Sequence, residues 1–119
     1  HSSQSQKKFL QKKLKSKRNL IFKIIYKKKF IGVLELGNIN YNKKNCELSY
    51  MVGSIKNWGK GFATQAINLA LIYSKKKLHL KKVYAGTHKR NIPSKKVLLN
   101  NNFFIIKKNK TYNFFERIL

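Results

Sequence analysis

Apolar positions recur along the chain with spacings typical of strands in some segments and of a helix in others. Residues 20–26 and 30–39 are rich in β-branched and aromatic side chains, and the lysine run between them predicts a β-hairpin turn. Apolar and polar positions alternate over residues 46–52, which predicts a third strand with the even-numbered residues on one side. Three further strands are predicted over residues 82–88, 103–107 and 112–118.

A helical period replaces the alternation after the third strand. Between residues 59 and 77, Phe62, Ala66 and Tyr73 fall on one face of a helix, and neighbouring apolar residues widen this stripe. This segment predicts the longest helix of the chain.

Two shorter helices are predicted on either side of it. Residues 2–16 are read as a lysine-rich helix capped by Ser2 or Ser3. Pro93 fits the first turn of a helix running to about residue 101, with Asn91 near its cap. The order α, β, β, β, α, β, α, β, β contains no repeat and no linker. It predicts a single mixed α/β domain over residues 1–119 with a central sheet.

Composition excludes several classes of protein and of site. The chain is 42% hydrophobic and 13% aromatic, which argues for a folded globule rather than a disordered tail. No apolar run approaches the roughly 18 residues that span a bilayer. Cys46 is the single cysteine, aspartate is absent, and Glu35, Glu47 and Glu116 are the only acidic residues. These counts argue against a disulfide framework, a CxxC zinc site, paired-carboxylate catalysis and carboxylate-caged calcium or magnesium. No metal cofactor is expected.

The formal net charge of +25 has two explanations. A basic chain attracts phosphates, which suggests nucleic-acid binding. The excess is lysine, however, and Lys, Asn and Ile are residues of A- and T-rich codons, so a biased genome would also produce it. Arginine, the better bidentate reader of phosphate and guanine, is scarce. The first residues show no apolar core of a signal peptide, so a cytoplasmic protein is expected.

The segment between the third strand and the long helix carries the candidate chemistry. Gly59 and Gly61, two residues apart, would let backbone amides approach a ligand closely. A helix start supplies unpaired N–H groups that suit a pyrophosphate, and Lys56 and Lys60 add positive charge. A plain strand-to-helix turn would use glycines in the same way. The segment lacks the glycine spacing of a Walker loop and the third glycine of a dinucleotide fingerprint.

The order of motifs resembles one known family. Residues 56–61 read KNWGKG, with ELSYMVG before them and GFATQAINLALIYS after; downstream, Asn91, Ser94 and Phe103 fall within VYAGTHKRNIPSKKVLLNNNFF. Over residues 31–104 the chain resembles the GNAT superfamily of acetyl-CoA-dependent N-acetyltransferases, especially the branch of ribosomal-protein N-terminal acetyltransferases. The resemblance implies an α+β fold: a mixed, largely antiparallel central sheet flanked by helices, here without the family's first strand and first helix.

The chain departs from the family pattern at three positions. Lys56 replaces the usual Arg or Gln, which keeps charge but not fork geometry. Asn102 replaces a glycine before Phe103, and Asn tolerates a left-handed conformation. Leu98 occupies the place of a tyrosine that protonates the leaving thiolate in many members. The missing first strand and helix, which help build the acceptor pocket, indicate a fragment or an abridged domain.

The resemblance also implies a set of residues for acetyl-CoA. The third strand would splay from its neighbour and expose backbone groups to the pantetheine and the acetyl carbonyl, while the glycine loop holds the pyrophosphate. The implied acetyl-CoA residues are Tyr50, Met51, Val52, Lys56, Asn57, Trp58, Gly59, Lys60, Gly61, Phe62, Ala63, Asn91 and Ser94.

Glu47 and Ser94 are the candidate catalytic residues. Glu47 lies on the third strand shortly before the loop and would act as a base, directly or through water; a structural pairing with lysine is the alternative. Glu35 is a second candidate base, with a salt-bridged strand residue as its alternative. Ser94 would hydrogen-bond the cofactor or protonate the thiolate, or else cap the following helix.

The remaining reactive or aromatic side chains are interpreted as structural. His79 and His88 have no partner at a recognisable spacing, and Cys46 shares a side with apolar residues, which indicates a buried thiol. The residues interpreted as core or sheet aromatics are Tyr26, Tyr73, Tyr84 and Phe114.

The sequence therefore predicts an N-acetyltransferase that uses acetyl-CoA and a primary amine: an amino sugar, a protein N-terminus or a small metabolite. Two rivals stay open, a small basic RNA-binding module and an inactive CoA-binding protein of the same fold. No membrane partner is expected, nucleic acid is the less favoured partner, and a homodimer is left open.

Overall fold

In the part of the chain that the structure describes, two helices cover one face of a single mixed sheet. The computed structural model describes residues 10–16, 18–53 and 61–119. In chain order these form β1 (Leu10–Ser16), β2 (Asn19–Tyr26), β3 (Lys29–Asn40), β4 (Asn45–Val52), α1 (Phe62–Lys76), β5 (Lys82–His88), α2 (Ile92–Asn100), β6 (Phe104–Lys108) and β7 (Tyr112–Ile118). The strands predicted after residue 20 and the two later helices are confirmed, with bounds that differ by a few residues.

The seven described strands lie in the order β1-β2-β3-β4-β5-β7-β6. Neighbours pair antiparallel except β4 and β5, which are parallel and are joined through α1. The predicted class, a mixed and largely antiparallel α+β sheet flanked by helices, is confirmed.

The helices lie on the same face of the sheet. Phe22 of β2 meets Tyr73 of α1 edge to face, with ring centroids 5.3 Å apart, and Tyr50 of β4 contacts Ser94 of α2. The core lies under them and consists of Leu20, Phe22, Ile24, Ile31, Leu34, Leu36, Ile39, Cys46, Leu48, Phe62, Ala66, Ile67, Ala70, Leu71, Leu80, Val83, Ala85, Leu98, Phe103 and Phe115. The predicted alternation of β4 is confirmed, because Cys46 and Leu48 are buried and Met51 is 64% exposed.

The opposite face carries the chain's acidic residues. Glu35 pairs with Ser49, Glu47 with Tyr84, and Tyr84 in turn with Glu116. Directly opposed residues of paired strands point to the same face, so the three carboxylates share the face opposite the two described helices.

The helix predicted over residues 2–16 is wrong where the structure describes the chain. Residues 10–16 form β1, whose Leu10 and Leu14 pair antiparallel with Ile24 and Leu20 of β2. Leucines four residues apart fit a strand as well as a helix. A short isolated helix is only marginally stable in water, whereas the edge of β2 offers a strand to pair with. Residues 2–9 of that prediction lie outside the described residues.

The left-handed turn expected at Asn102 is confirmed. Its φ is 64°, and Phe103 follows it into the core. Within the described residues, no helix is long and apolar enough to cross a membrane.

Candidate functional site

A gap between β4 and β5 organises the site. In the described chain these strands pair through Asn45, Cys46 and Glu47 of β4, and the last pair is Glu47 with Tyr84. Beyond it β4 continues to Val52 along β3, whereas β5 continues along β7. The two strands therefore diverge beyond Glu47, which confirms the splay expected of the third strand.

A cleft of about 470 Å³ lies on the helix face at this gap. It brings together all members of the predicted acetyl-CoA set that the structure describes, from β4, α1 and the start of α2. Its lining consists of Tyr50, Met51, Val52, Gly61, Phe62, Ala63, Thr64, Asn91, Pro93, Ser94, Lys96, Val97 and Asn100. The remaining predicted members, Lys56, Asn57, Trp58, Gly59 and Lys60, lie outside the described residues.

The N-terminus of α1 forms one wall of this cleft. Gly61 caps the helix with a φ of 80°, a conformation that glycine adopts without the cost of a Cβ. Its carbonyl accepts the N–H of Gln65 at 3.0 Å, so the helical ladder begins there. The N–H groups of Phe62, Ala63 and Thr64 precede that bond and have no partner within the helix. With the positive end of the helix dipole, they make a wall suited to a phosphate group.

The start of α2 forms the facing wall and separates the roles of two polar residues. The Oδ1 of Asn91 accepts the N–H of Ser94 at 3.1 Å, so Asn91 caps the helix. The Ser94 hydroxyl instead lies 2.7 Å from the hydroxyl of Tyr50 on β4. Burial raises the pKa of Tyr50, and its hydrogen bond with Ser94 opposes that rise. Leu98, at the position of the family tyrosine, is fully buried in the core.

A second cleft, of about 640 Å³, includes residues of the face opposite the helices. It reaches the gap, because Leu48, Ser49, Ala85 and Gly86 directly follow the last β4–β5 pair. It is lined by Asn19, Glu35, Gly37, Asn38, Glu47, Leu48, Ser49, Tyr84, Ala85, Gly86, Ile106, Lys107, Phe114 and Phe115. Both candidate bases thus line one cleft.

A bulge in β3 orients Glu47. The pairing of β3 with β4 shifts between Gly37 and Asn40, and Asn38 within this bulge has a φ of 48°. The side-chain amide of Asn38 donates to Glu47 Oε2 at 2.7 Å, and the backbone N–H of Asn38 donates to Asn19 Oδ1 at 3.2 Å. Bulges often re-aim side chains next to active sites. The ion pair found among the described residues involves Glu116 rather than Glu47: Glu116 Oε1 lies 3.8 Å from Lys82 Nζ.

The contacts of the other reactive side chains support their structural interpretation. Cys46 is 1% exposed, and burial, the largest cause, raises its pKa to about 12. His88 accepts the N–H of Arg90 at 3.0 Å and meets the ring of Tyr112 edge-on. Tyr26 packs against Phe62 with ring centroids 4.8 Å apart.

Sequence reasoning missed several residues that line the two clefts. Pro93, Lys96, Val97 and Asn100 are spaced i, i+3, i+4 and i+7 on α2, so helical spacing from Pro93 could have found them. Nothing in the sequence marks Asn19, because its place beside the cleft depends on the pairing of distant strands.

Solved acetyltransferase structures share this fold. Campylobacter jejuni N-acetyltransferase PseH is 22% identical with a TM-score of 0.75, covering 87% of this chain and 70% of that chain. Mycobacterium smegmatis RimJ, solved with CoA-disulfide, is 24% identical with a TM-score of 0.80, and the match covers 85% of this chain and 53% of RimJ. Vibrio cholerae spermidine N-acetyltransferase, solved with CoA and spermine, is 24% identical with a TM-score of 0.77, covering 86% and 66%.

All three structures are longer than this chain, which spans 53% of RimJ and 70% of PseH. The fold is therefore truncated relative to them. No curated protein matches the sequence significantly. The family model described as the acetyltransferase (GNAT) domain matches residues 1–103, and the splayed strands, the glycine-capped helix and the cleft between them all lie within that match. The chain therefore belongs to the GNAT acetyltransferase domain family.

Proposed function

We propose that the chain transfers an acetyl group from acetyl-CoA to a primary amine. The observation that carries the proposal is the gap between β4 and β5 with two clefts at it, one beside a helix N-terminus and one containing two carboxylates. An acetyl transfer from a thioester needs this division, because the amine must reach the acetyl carbonyl carbon from a side that the bound donor does not occupy.

The donor occupies the helix-face cleft in this proposal. The N–H groups at the start of α1, from Gly61 to Ala63, hold the pyrophosphate, with charge from Lys56 and Lys60 of the preceding segment. Backbone groups of residues 50–52 hold the pantetheine and polarise the acetyl carbonyl. Acetyl-CoA supplies a thioester whose carbonyl carbon accepts the amine. PseH was solved with acetyl-CoA and RimJ with CoA-disulfide, which supports the same donor here.

The acceptor occupies the cleft with Glu35 and Glu47. An amine attacks only after losing its proton, so a carboxylate beside it serves as general base, directly or through water. Glu47 is the better base because it lies at the last β4–β5 pair and is oriented by Asn38. Glu35 strengthens the negative potential that draws a cationic amine into the cleft.

The acceptor classes are an amino sugar, a protein N-terminus and a small metabolite, to which the Vibrio cholerae neighbour adds polyamines. The RimJ neighbour supports the branch of ribosomal-protein acetyltransferases, but the PseH and spermidine acetyltransferase neighbours are about equally similar. An amine panel containing all four classes is therefore the appropriate substrate test.

Calorimetry with CoA and with desulfo-CoA tests the donor site, and thiol release from acetyl-CoA with the amine panel tests the transfer. We expect both CoA forms to bind and at least one amine to be acetylated. Failure of both forms to bind would refute the proposed function. Binding without turnover on any amine would instead favour the inactive CoA-binding protein.

A further inference from the structure

The hydroxyls of Tyr50 and Ser94 form a polar pair in the wall of the helix-face cleft. They lie 2.7 Å apart, although 44 residues separate them along the chain, and the pair is partly buried. Both residues line the cleft proposed for the CoA thioester. Because Asn91 already caps α2 through the Ser94 N–H, the Ser94 hydroxyl is not needed as a helix cap.

Acetyl transfer releases a thiolate that must acquire a proton. The side chain of Leu98 is a buried hydrocarbon and cannot donate that proton. A serine hydroxyl alone is a poor source, because an aliphatic hydroxyl is a much weaker acid than a phenol, whose ordinary pKa is about 10. A serine that receives a proton from a phenol as it gives one up avoids becoming an alkoxide.

We propose that Tyr50 is the source of the proton for the leaving CoA thiolate and that Ser94 passes it on. This inference rests on the proposed function and deepens it. As the carbon–sulfur bond breaks, the sulfur takes the bonding electron pair and then the Ser94 proton, while the Ser94 oxygen takes the Tyr50 proton. Water returns a proton to Tyr50 afterwards, and the proton lost by the amine leaves through Glu47.

The surroundings keep Tyr50 in the form that can donate. A phenol with its ordinary pKa of about 10 is neutral around pH 7, and burial, which raises the pKa of Tyr50, holds the proton on its hydroxyl more firmly until negative charge develops on the sulfur. Among the described residues that line the cleft, Lys96 of α2 carries the ionisable side chain other than Tyr50 itself. The Lys96 ammonium would favour the thiolate electrostatically.

The state of bound CoA separates this role from a structural one. Donation from Ser94 to sulfur favours the thiolate, so it lowers the pKa of the bound CoA thiol. That pKa is measured on the complex by thiolate ultraviolet absorbance against pH, without any turnover. We expect it to rise by about 1 in Tyr50→Phe and in Ser94→Ala. Tyr112→Phe makes the same chemical change outside both clefts and should leave it unchanged.

Turnover and a double variant test the relay itself. Tyr50→Phe should lower kcat about 10²-fold, the low end for a lost general acid, with KM for acetyl-CoA nearly unchanged. Groups that act in one relay are not additive, so Tyr50→Phe should add little to Ser94→Ala. Equal desulfo-CoA affinity in all variants shows that the fold and the pyrophosphate site are retained.

The outcomes separate the two proposals. If the wild-type chain binds neither CoA nor desulfo-CoA, the proposed function falls and this inference falls with it. If it binds both but Tyr50→Phe leaves the pKa of the thiol and kcat unchanged, the relay is refuted while the proposed function stands. Fully additive losses in the double variant would also refute the relay, because they would show independent roles.

Discussion

Replacing Gly61 tests whether the left-handed start of α1 matters for CoA. Its φ of 80° is a conformation that L side chains rarely adopt, although space is available, since an added Cβ would lie 3.8 Å from Gln65 Nε2. Gly61→Ala therefore changes backbone preference without a clash. A β-branched residue, as in Gly61→Val, adds further strain at the same position.

The magnitude follows from the backbone cost alone. A left-handed conformation costs a non-glycine residue about 1–2 kcal/mol. If the alanine variant keeps this conformation, the free energy of unfolding falls by that amount, about 4 °C in Tm for each kcal/mol. If the backbone at residue 61 relaxes instead, CoA binding must restore its left-handed conformation, and affinity falls about 5- to 30-fold. The cost appears in stability, in affinity or divided between them.

Thermal unfolding and CoA calorimetry on the same samples measure the loss of stability and the loss of CoA affinity. Gly53→Ala is the matched control, because an added Cβ would make an ordinary 3.7 Å contact with the Ile31 carbonyl and the φ of Gly53 is not left-handed. We expect the control to be neutral or slightly stabilising. If Gly61→Ala matches the control in both Tm and CoA affinity, the proposed role of the glycine is refuted.

Three further predictions concern the base, the charge and the thiol. Glu47→Gln should lower turnover about 10²–10⁴-fold at neutral pH with CoA affinity nearly unchanged, and the deficit should shrink at higher pH as free amine increases; normal turnover would make Glu47 structural and favour Glu35. CoA affinity should fall with salt less steeply than affinity for a long RNA, whereas tight, sequence-selective RNA binding unaffected by saturating CoA would favour the RNA-binding rival. Cys46, with its pKa raised to about 12 from 9.0, should react slowly with thiol reagents in the native protein and quickly after unfolding in urea; rapid native labelling would contradict its burial. Its contribution to stability is complete below pH 9 and is lost as pH rises toward 12, because the unfolded thiol deprotonates first.

The elements predicted well are those whose sequence period is unambiguous. Strict alternation over β4 and the long apolar stripe of α1 each match one kind of structure, and packing agrees with both. β1 was mispredicted because Leu10 and Leu14 satisfy both periods. Its conformation depends on pairing with β2, a tertiary contact that a local pattern does not contain.

The candidate site divides in the same way. The glycine at the start of α1 and the cap at Asn91 are local features, and sequence spacing found both. The hydroxyl pair joins Tyr50 to a residue on another element, and the bond from Asn38 to Glu47 needs a bulge and two aligned strands. Such contacts depend on register, and a shift of one residue would move each side chain to the other face.

Register also places the charges in a way that bears on the RNA-binding rival. The excess of 28 basic over 3 acidic residues is a property of the whole chain, and it does not show where phosphate would bind. An RNA-binding sheet stacks bases on an open face and attracts their phosphates. Here the face opposite α1 and α2 carries Glu35, Glu47 and Glu116, and the lysine beside Glu116 is Lys82, 3.8 Å away. The described lining of the cleft on this face has two carboxylates, Glu35 and Glu47, and one basic side chain, Lys107. This local excess of negative charge favours an amine acceptor over an RNA phosphate in the cleft.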